Sequence, residues 1–80
     1  MSPSVTLYVT SDCHLCEDAE LLLRRLAREM RFRLEVVDIS SNAALYERYC
    51  LVVPVLAADG EAVLSAPLDE RGVREALARG

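Results

Sequence analysis

Lysine and tryptophan are absent from this 80-residue sequence, and cysteine, proline and glycine occur only three times each. All nine basic residues are arginines, scattered from Arg24 to Arg79 with no basic block, and thirteen acidic residues leave a net charge of −4. Without a cationic patch, nucleic acid is not an expected partner. No apolar run approaches the roughly 18 residues of a membrane-spanning helix, so no membrane association is expected. Met1-Ser2-Pro3-Ser4 carries no positive segment ahead of an apolar one, unlike a secretory signal, and a cytoplasmic location is expected. Three cysteines are too few for the disulfide scaffold of a small secreted domain. Two of them at C-x-x-C spacing point instead to redox or metal chemistry.

A chain of this length makes one domain, 1–80, expected to act as a monomer. So short a chain buries only about 60 % of the surface it exposes when unfolded, which commits nearly every apolar position to the core. The hydrophobic content of 52 % meets that demand.

Val5-Thr6-Leu7-Tyr8-Val9-Thr10 alternates apolar and polar residues and reads as a first strand. Ser11 and Asp12 break it, and Asp12 is the expected cap of a helix whose first turn holds Cys13-His14-Leu15-Cys16. Ala19, Leu22, Leu23, Leu26, Ala27 and Met30 recur at three-and-four spacing along that helix. Glu20 with Arg24 and Arg25 with Glu29 add i,i+4 pairs on its wet face. Leu34 to Ile39 reads as a second strand, parallel to the first because a helix long enough for a crossover separates them.

Ser40, Ser41 and Asn42 suit a cap for a short helix that buries Leu45, Tyr46 and Tyr49. Val52-Val53-Pro54-Val55-Leu56 runs through Ala57-Ala58 to Asp59-Gly60, a tight-hairpin signal, and on to Glu61-Ala62-Val63-Leu64. After Pro67 and Asp69, the latter a candidate cap, Val73, Ala76 and Leu77 mark a last helix ending at Gly80. The order is βαβαββα, an α/β arrangement with a four-stranded mixed sheet and three helices.

A redox cysteine needs its pKa brought down from about 8.5 toward ambient pH, because the thiolate is the attacking form. At the start of a helix the Cys13 sulfur meets unpaired backbone N–H groups, worth ~0.3–1 kcal/mol to an anion and up to ~2 when partly buried. Asp12, Glu17 and Asp18 oppose that gain, while a protonated His14 adds to it. The balance predicts a Cys13 pKa nearer neutral than strongly acidic, and a reductant rather than a powerful oxidant. Cys13 is expected to attack and Cys16, one turn on, to resolve. The competing reading of C-x-x-C is half of a metal site. Zinc wants four ligands, the chain offers only Cys13, Cys16, Cys50 and His14, and His14 is poorly placed to share a metal with the cysteines beside it, so none is expected. An iron-sulfur cluster between two chains is a related minor reading.

Cys50 reads first as a structural thiol, with a third redox role as the weaker alternative. Tyr8, Tyr46, Tyr49 and Phe32 read as core or half-buried packing, and Arg48 as part of a solvated helix face. Pro54 on its own is compatible with an ordinary trans proline opening an edge strand, or with a cis bond that exposes the Val53 backbone to an extended substrate.

Cys13-His14-Leu15-Cys16 after a strand, Val53-Pro54 before another, and Asp59-Gly60 in the following hairpin together resemble the glutaredoxin-like family of thioredoxin-fold proteins, over about Val5 to Leu77. The resemblance implies a dithiol-disulfide oxidoreductase of cell redox homeostasis with a redox-active Cys13–Cys16 disulfide. It also implies a Pro54 preceded by a cis bond and a substrate surface of Val53, Pro54, His14 and Leu15. Glutaredoxins commonly carry Pro and Tyr between their cysteines, a lysine before them, and a Gly-Gly element that receives glutathione. Here stand His14 and Leu15, Thr10-Ser11-Asp12, and Leu64-Ser65-Ala66-Pro67. No bound cofactor is expected. Glutathione is a doubtful reductant by these departures, and a flavoprotein of the thioredoxin-reductase type is the other expected donor. Expected substrates are protein or small-molecule disulfides; the alternative is a protein-binding module with a vestigial or regulatory dithiol.

Overall fold

The computed structural model describes residues 4–78. It consists of β1 (Ser4–Val9), α1 (His14–Met30), β2 (Arg33–Asp38), a 3-10 turn (Ile39–Ser41), α2 (Ala43–Tyr49), β3 (Val55–Ala58), β4 (Glu61–Ser65) and α3 (Glu70–Ala78). The helix end expected at Gly80 lies outside the described residues. The sheet order is β2-β1-β3-β4, with β1 parallel to β2 and antiparallel to β3, and β3 antiparallel to β4. This is the expected α/β thioredoxin-like arrangement, with β1 inside the sheet.

Alternation along β1 divides the molecule into layers. Val5 and Leu7 point to one face, where Leu56 of β3, Ala19, Leu23 and Leu26 of α1, Val73 of α3 and Phe32 complete a buried core. Thr6 and Tyr8 point to the other, where Tyr49 of α2 stacks on Tyr8 with ring centroids 5.1 Å apart. Two helices therefore cover one face and α2 the other.

Local chemistry sets the boundaries. Helix α1 ends where Arg31 adopts φ 58°, its N–H turned back to the Ala27 carbonyl. Strand β2 stops at Asp38 rather than Ile39, because the Asp38 carboxylate accepts the Ser40 N–H at 2.8 Å and starts the 3-10 turn. Asn42 of the expected polar cluster caps α2, accepting the Leu45 N–H at 3.1 Å. Asp59 and Gly60, at φ 53° and 82°, make the hairpin turn between β3 and β4. Asp69 caps α3, accepting the Gly72 N–H at 2.7 Å.

The buried face expected of α2 is a correction. Tyr46 is 49 % exposed, Leu45 and Tyr49 are half-buried, and no residue of α2 is fully buried. Seven residues make about two turns, so only one edge of this helix meets the sheet. A ring of ion pairs joins α1 to α3: Arg25 contacts Glu29 at 2.8 Å and Glu70 at 2.6 Å, and Arg74 contacts both glutamates at 2.8 Å. The Arg25–Glu29 and Glu70–Arg74 members follow helical i,i+4 spacing, whereas the two that cross between the helices do not.

Candidate active site

Strand β1 delivers the chain to a tight turn in which Asp12 adopts φ 53° and Cys13 returns to extended backbone at φ −111°. The helix begins at His14, so the capping residue is Cys13 and not Asp12 as expected. With Asp12 in the left-handed region, its carboxylate lies one position too early, and the Cys13 sulfur takes its place. Cys13 Sγ accepts the Cys16 N–H at 3.1 Å, and the Cys13 carbonyl accepts the Glu17 N–H at 3.1 Å. Cys13 and Cys16 form a disulfide, their Cα atoms 5.1 Å apart. Cys13 is half-buried and Cys16 only 3 % exposed. The two sulfurs thus differ in access while remaining within bonding reach.

Sheet register brings the proline segment to the same edge. Val55 pairs with Tyr8, so Pro54 and Val53 lie beyond β3 on the side where β1 runs into the dithiol turn. The Val53–Pro54 bond is cis, and Pro54 is fully buried. Val53 is half-buried, and its N–H donates to the Tyr49 carbonyl at 3.0 Å. That N–H is thus engaged inside the chain; among the described residues no hydrogen bond reaches the Val53 carbonyl. Ala66–Pro67 is a second cis bond, which the residues alone do not announce.

His14 is 85 % exposed, with Nδ1 3.8 Å from Glu17 and Nε2 3.6 Å from Asp18, contacts that become ion pairs when the imidazole is protonated. Leu15 is 52 % exposed. Cys50 is unpaired and half-buried at the end of α2, in a cleft with Ser40, Ser41, Tyr46 and Glu47. Arg48 is exposed on α2, as expected, with its guanidinium 5.7 Å from the Tyr49 ring centroid. Among the described residues, no three His, Cys, Asp or Glu side chains gather as metal ligands, and no helix is long and apolar enough to cross a membrane.

Residues 4–78 match the family model of the Glutaredoxin-like domain (DUF836). The chain belongs to this glutaredoxin-like family. An X-ray structure of a protein from X. campestris is 38 % identical, with a TM-score of 0.80 over 95 % of this chain and 97 % of that one. A solution structure of protein Ne2328 from Nitrosomonas europaea is 31 % identical, with a TM-score of 0.80 over 94 % and 91 %. Thioredoxin 1 from Thermosipho africanus shares 14 % identity and a TM-score of 0.70 over 95 % of this chain and 91 % of its own, a likeness of fold. The glutaredoxin-like domain thus sits on a thioredoxin fold and carries a close cysteine pair at a helix start, an arrangement suited to redox chemistry.

Proposed function

We propose that this glutaredoxin-like chain is a thiol-disulfide oxidoreductase that reduces disulfides through Cys13 and Cys16. The observation that carries the reading is the capping geometry: one sulfur receives a helix N–H at 3.1 Å, and a second, buried sulfur is bonded to it. The N-terminal end of α1 favours negative charge on Cys13, and the N–H bond strengthens when its acceptor is a thiolate.

In the reduced protein the Cys13 thiolate attacks one sulfur of a substrate disulfide. A bond forms between Cys13 and that sulfur, the substrate S–S bond breaks, and the second substrate sulfur leaves as a thiolate and takes up a proton. Cys16 then loses its proton and attacks Cys13 Sγ, forming the Cys13–Cys16 disulfide and releasing the first substrate sulfur as a second thiol. The substrate gains two electrons and two protons; the protein gives up both electrons and the Cys16 proton, and the second proton comes from solvent, which received the Cys13 proton when that thiol ionised. An external donor, either glutathione or a flavoprotein reductase, restores the dithiol. The Val53 carbonyl and the exposed Leu15 and His14 form the surface that an extended substrate meets.

The test is reduction of insulin or a small disulfide, run once with glutathione and its reductase and once with thioredoxin reductase. Turnover in either coupled assay supports the reading and names the donor. A folded, reduced protein inert in both overturns it in favour of a binding module.

A further inference from the structure

Resting on that reading, we propose that the dithiol prefers polypeptide disulfides flanked by lysine or arginine, and that Asp12, Glu17 and Asp18 impose this preference.

The argument comes from which carboxylates have a cationic partner. Along α1 and α3, Glu20, Glu29, Glu70 and Glu75 each lie within 4.0 Å of an arginine. In the first turns of α1, Glu17 and Asp18 meet, among the described residues, only His14, at 3.8 and 3.6 Å. The first arginine of α1, Arg24, lies ~15 Å down the helix from the dithiol by helical rise and is bound to Glu20 at 2.7 Å. Asp12 stands exposed in the turn itself.

Neighbouring elements reinforce this charge. Asp38 is the register partner of Val9, the last residue of β1, and brings another carboxylate to the dithiol edge. Hydrogen bonds from Ser40, its backbone N–H first, lower the Asp38 pKa and keep that charge in place. On the α2 side, Arg48 lies over the ring of Tyr49, which stacks on Tyr8 of β1. Asp12, Glu17, Asp18 and Asp38 give the approach to Cys13 a negative field.

These groups are exposed, with side-chain accessibilities of 77 % for Glu17 and 63 % for Asp18, so salt screens their effect, which falls mainly on encounter rather than on the bound state. Steering of this kind changes association rates by roughly 10-fold or more at low ionic strength. An anionic disulfide, oxidised glutathione included, is repelled by the same field.

The experiment is a single-turnover reaction of the pre-reduced protein with two synthetic cystine peptides, identical except for lysine or glutamate on each side of the cysteine. Each rate is divided by the rate of dithiothreitol with the same peptide, which removes intrinsic reactivity. The normalised lysine-to-glutamate ratio is expected to reach about 10 at low ionic strength, to fall toward one at high salt, and to fall in D12N, E17Q and D18N singly and further in combination. Any change in thiolate acidity alters both rates alike and cancels in the ratio. A ratio near one at low salt, or one that neither salt nor the substitutions move, overturns the preference while leaving the oxidoreductase reading intact. If neither peptide reacts with the folded, reduced protein, the oxidoreductase reading fails and this inference with it.

Discussion

The Cys16 N–H points at Cys13 Sγ across 3.1 Å, so the sulfur that reacts is also the group that caps the helix. In an ordinary helix start a serine or aspartate oxygen takes this N–H. A neutral thiol is a weak acceptor and a thiolate a strong one, so the cap is best satisfied when Cys13 is ionised. Stability of the helix start and reactivity of the nucleophile are coupled through this one hydrogen bond. Burial supplies the division of labour: Cys13 is reachable, whereas Cys16, 3 % exposed, reacts best with a sulfur already attached to Cys13.

Replacing either cysteine separates the two steps. Cys13→Ser is expected to abolish disulfide reduction, since a serine hydroxyl does not attack sulfur at neutral pH. Cys16→Ser is expected to stop after the first step and accumulate a mixed disulfide at Cys13, read as added mass in intact-protein mass spectrometry that reductant removes. Full activity in both variants would refute the assignment.

Acidity of Cys13 follows from the same geometry. A helix N-terminus contributes ~0.3–1 kcal/mol to an anion, up to ~2 when partly buried, and about 1.36 kcal/mol corresponds to one pKa unit. Asp12, Glu17 and Asp18 act in the opposite sense. Ultraviolet titration of the thiolate in Cys16→Ser should therefore give a midpoint only modestly below that of a free thiol, about 8.5, lowered further in E17Q. A strongly acidic midpoint would show that the neighbouring carboxylates do not oppose the thiolate.

Much of this arrangement is legible in the chain because its signals are local. The C-x-x-C pair, the three-and-four spacing from Ala19 to Met30 and the Asp59-Gly60 turn each specify structure over a few residues, and each is found where expected. What escapes depends on distant groups. Asp12 is a better cap than cysteine by type, and only the left-handed turn at Asp12 shifts the capping role to the sulfur. The tie from Val53 N–H to the Tyr49 carbonyl depends on how the chain leaves α2, which residue types do not specify. The Arg25–Glu70 and Arg74–Glu29 contacts join residues 45 positions apart and exist only once α1 and α3 pack together.

Two positive-φ positions should respond to substitution with opposite signs. Arg31 is exposed and holds φ 58°, where a side chain costs about 1–2 kcal/mol. Arg31→Gly relieves that cost and loses part of the gain to the greater freedom of glycine when unfolded, a net stabilisation of about 0.5–1 kcal/mol. At Gly60, φ is 82° and a Cβ would meet nothing within 4 Å, so Gly60→Ala isolates the backbone penalty and should destabilise by about 1 kcal/mol. Urea midpoints of the two variants, shifted up and down respectively, check the pair.

The ring of Arg25, Glu29, Glu70 and Arg74 should make stability fall with acid. Hydrogen bonds from Arg74 and then Arg25 lower the Glu29 pKa, and those from Arg25 and then Arg74 lower that of Glu70. A carboxyl whose pKa is lower folded than unfolded stabilises fully above its unfolded value, about 4.3 for glutamate, and loses that contribution as pH falls through the folded value. The two arginines have raised pKa values and remain charged throughout that range. The thermal midpoint of the unaltered protein is therefore expected to drop below about pH 4 more steeply than that of E29Q/E70Q. Added salt should narrow the gap between them at neutral pH, because all four side chains are solvent-accessible. Parallel curves for the two proteins from neutral pH into acid would show that the ring joins α1 to α3 without stabilising the fold.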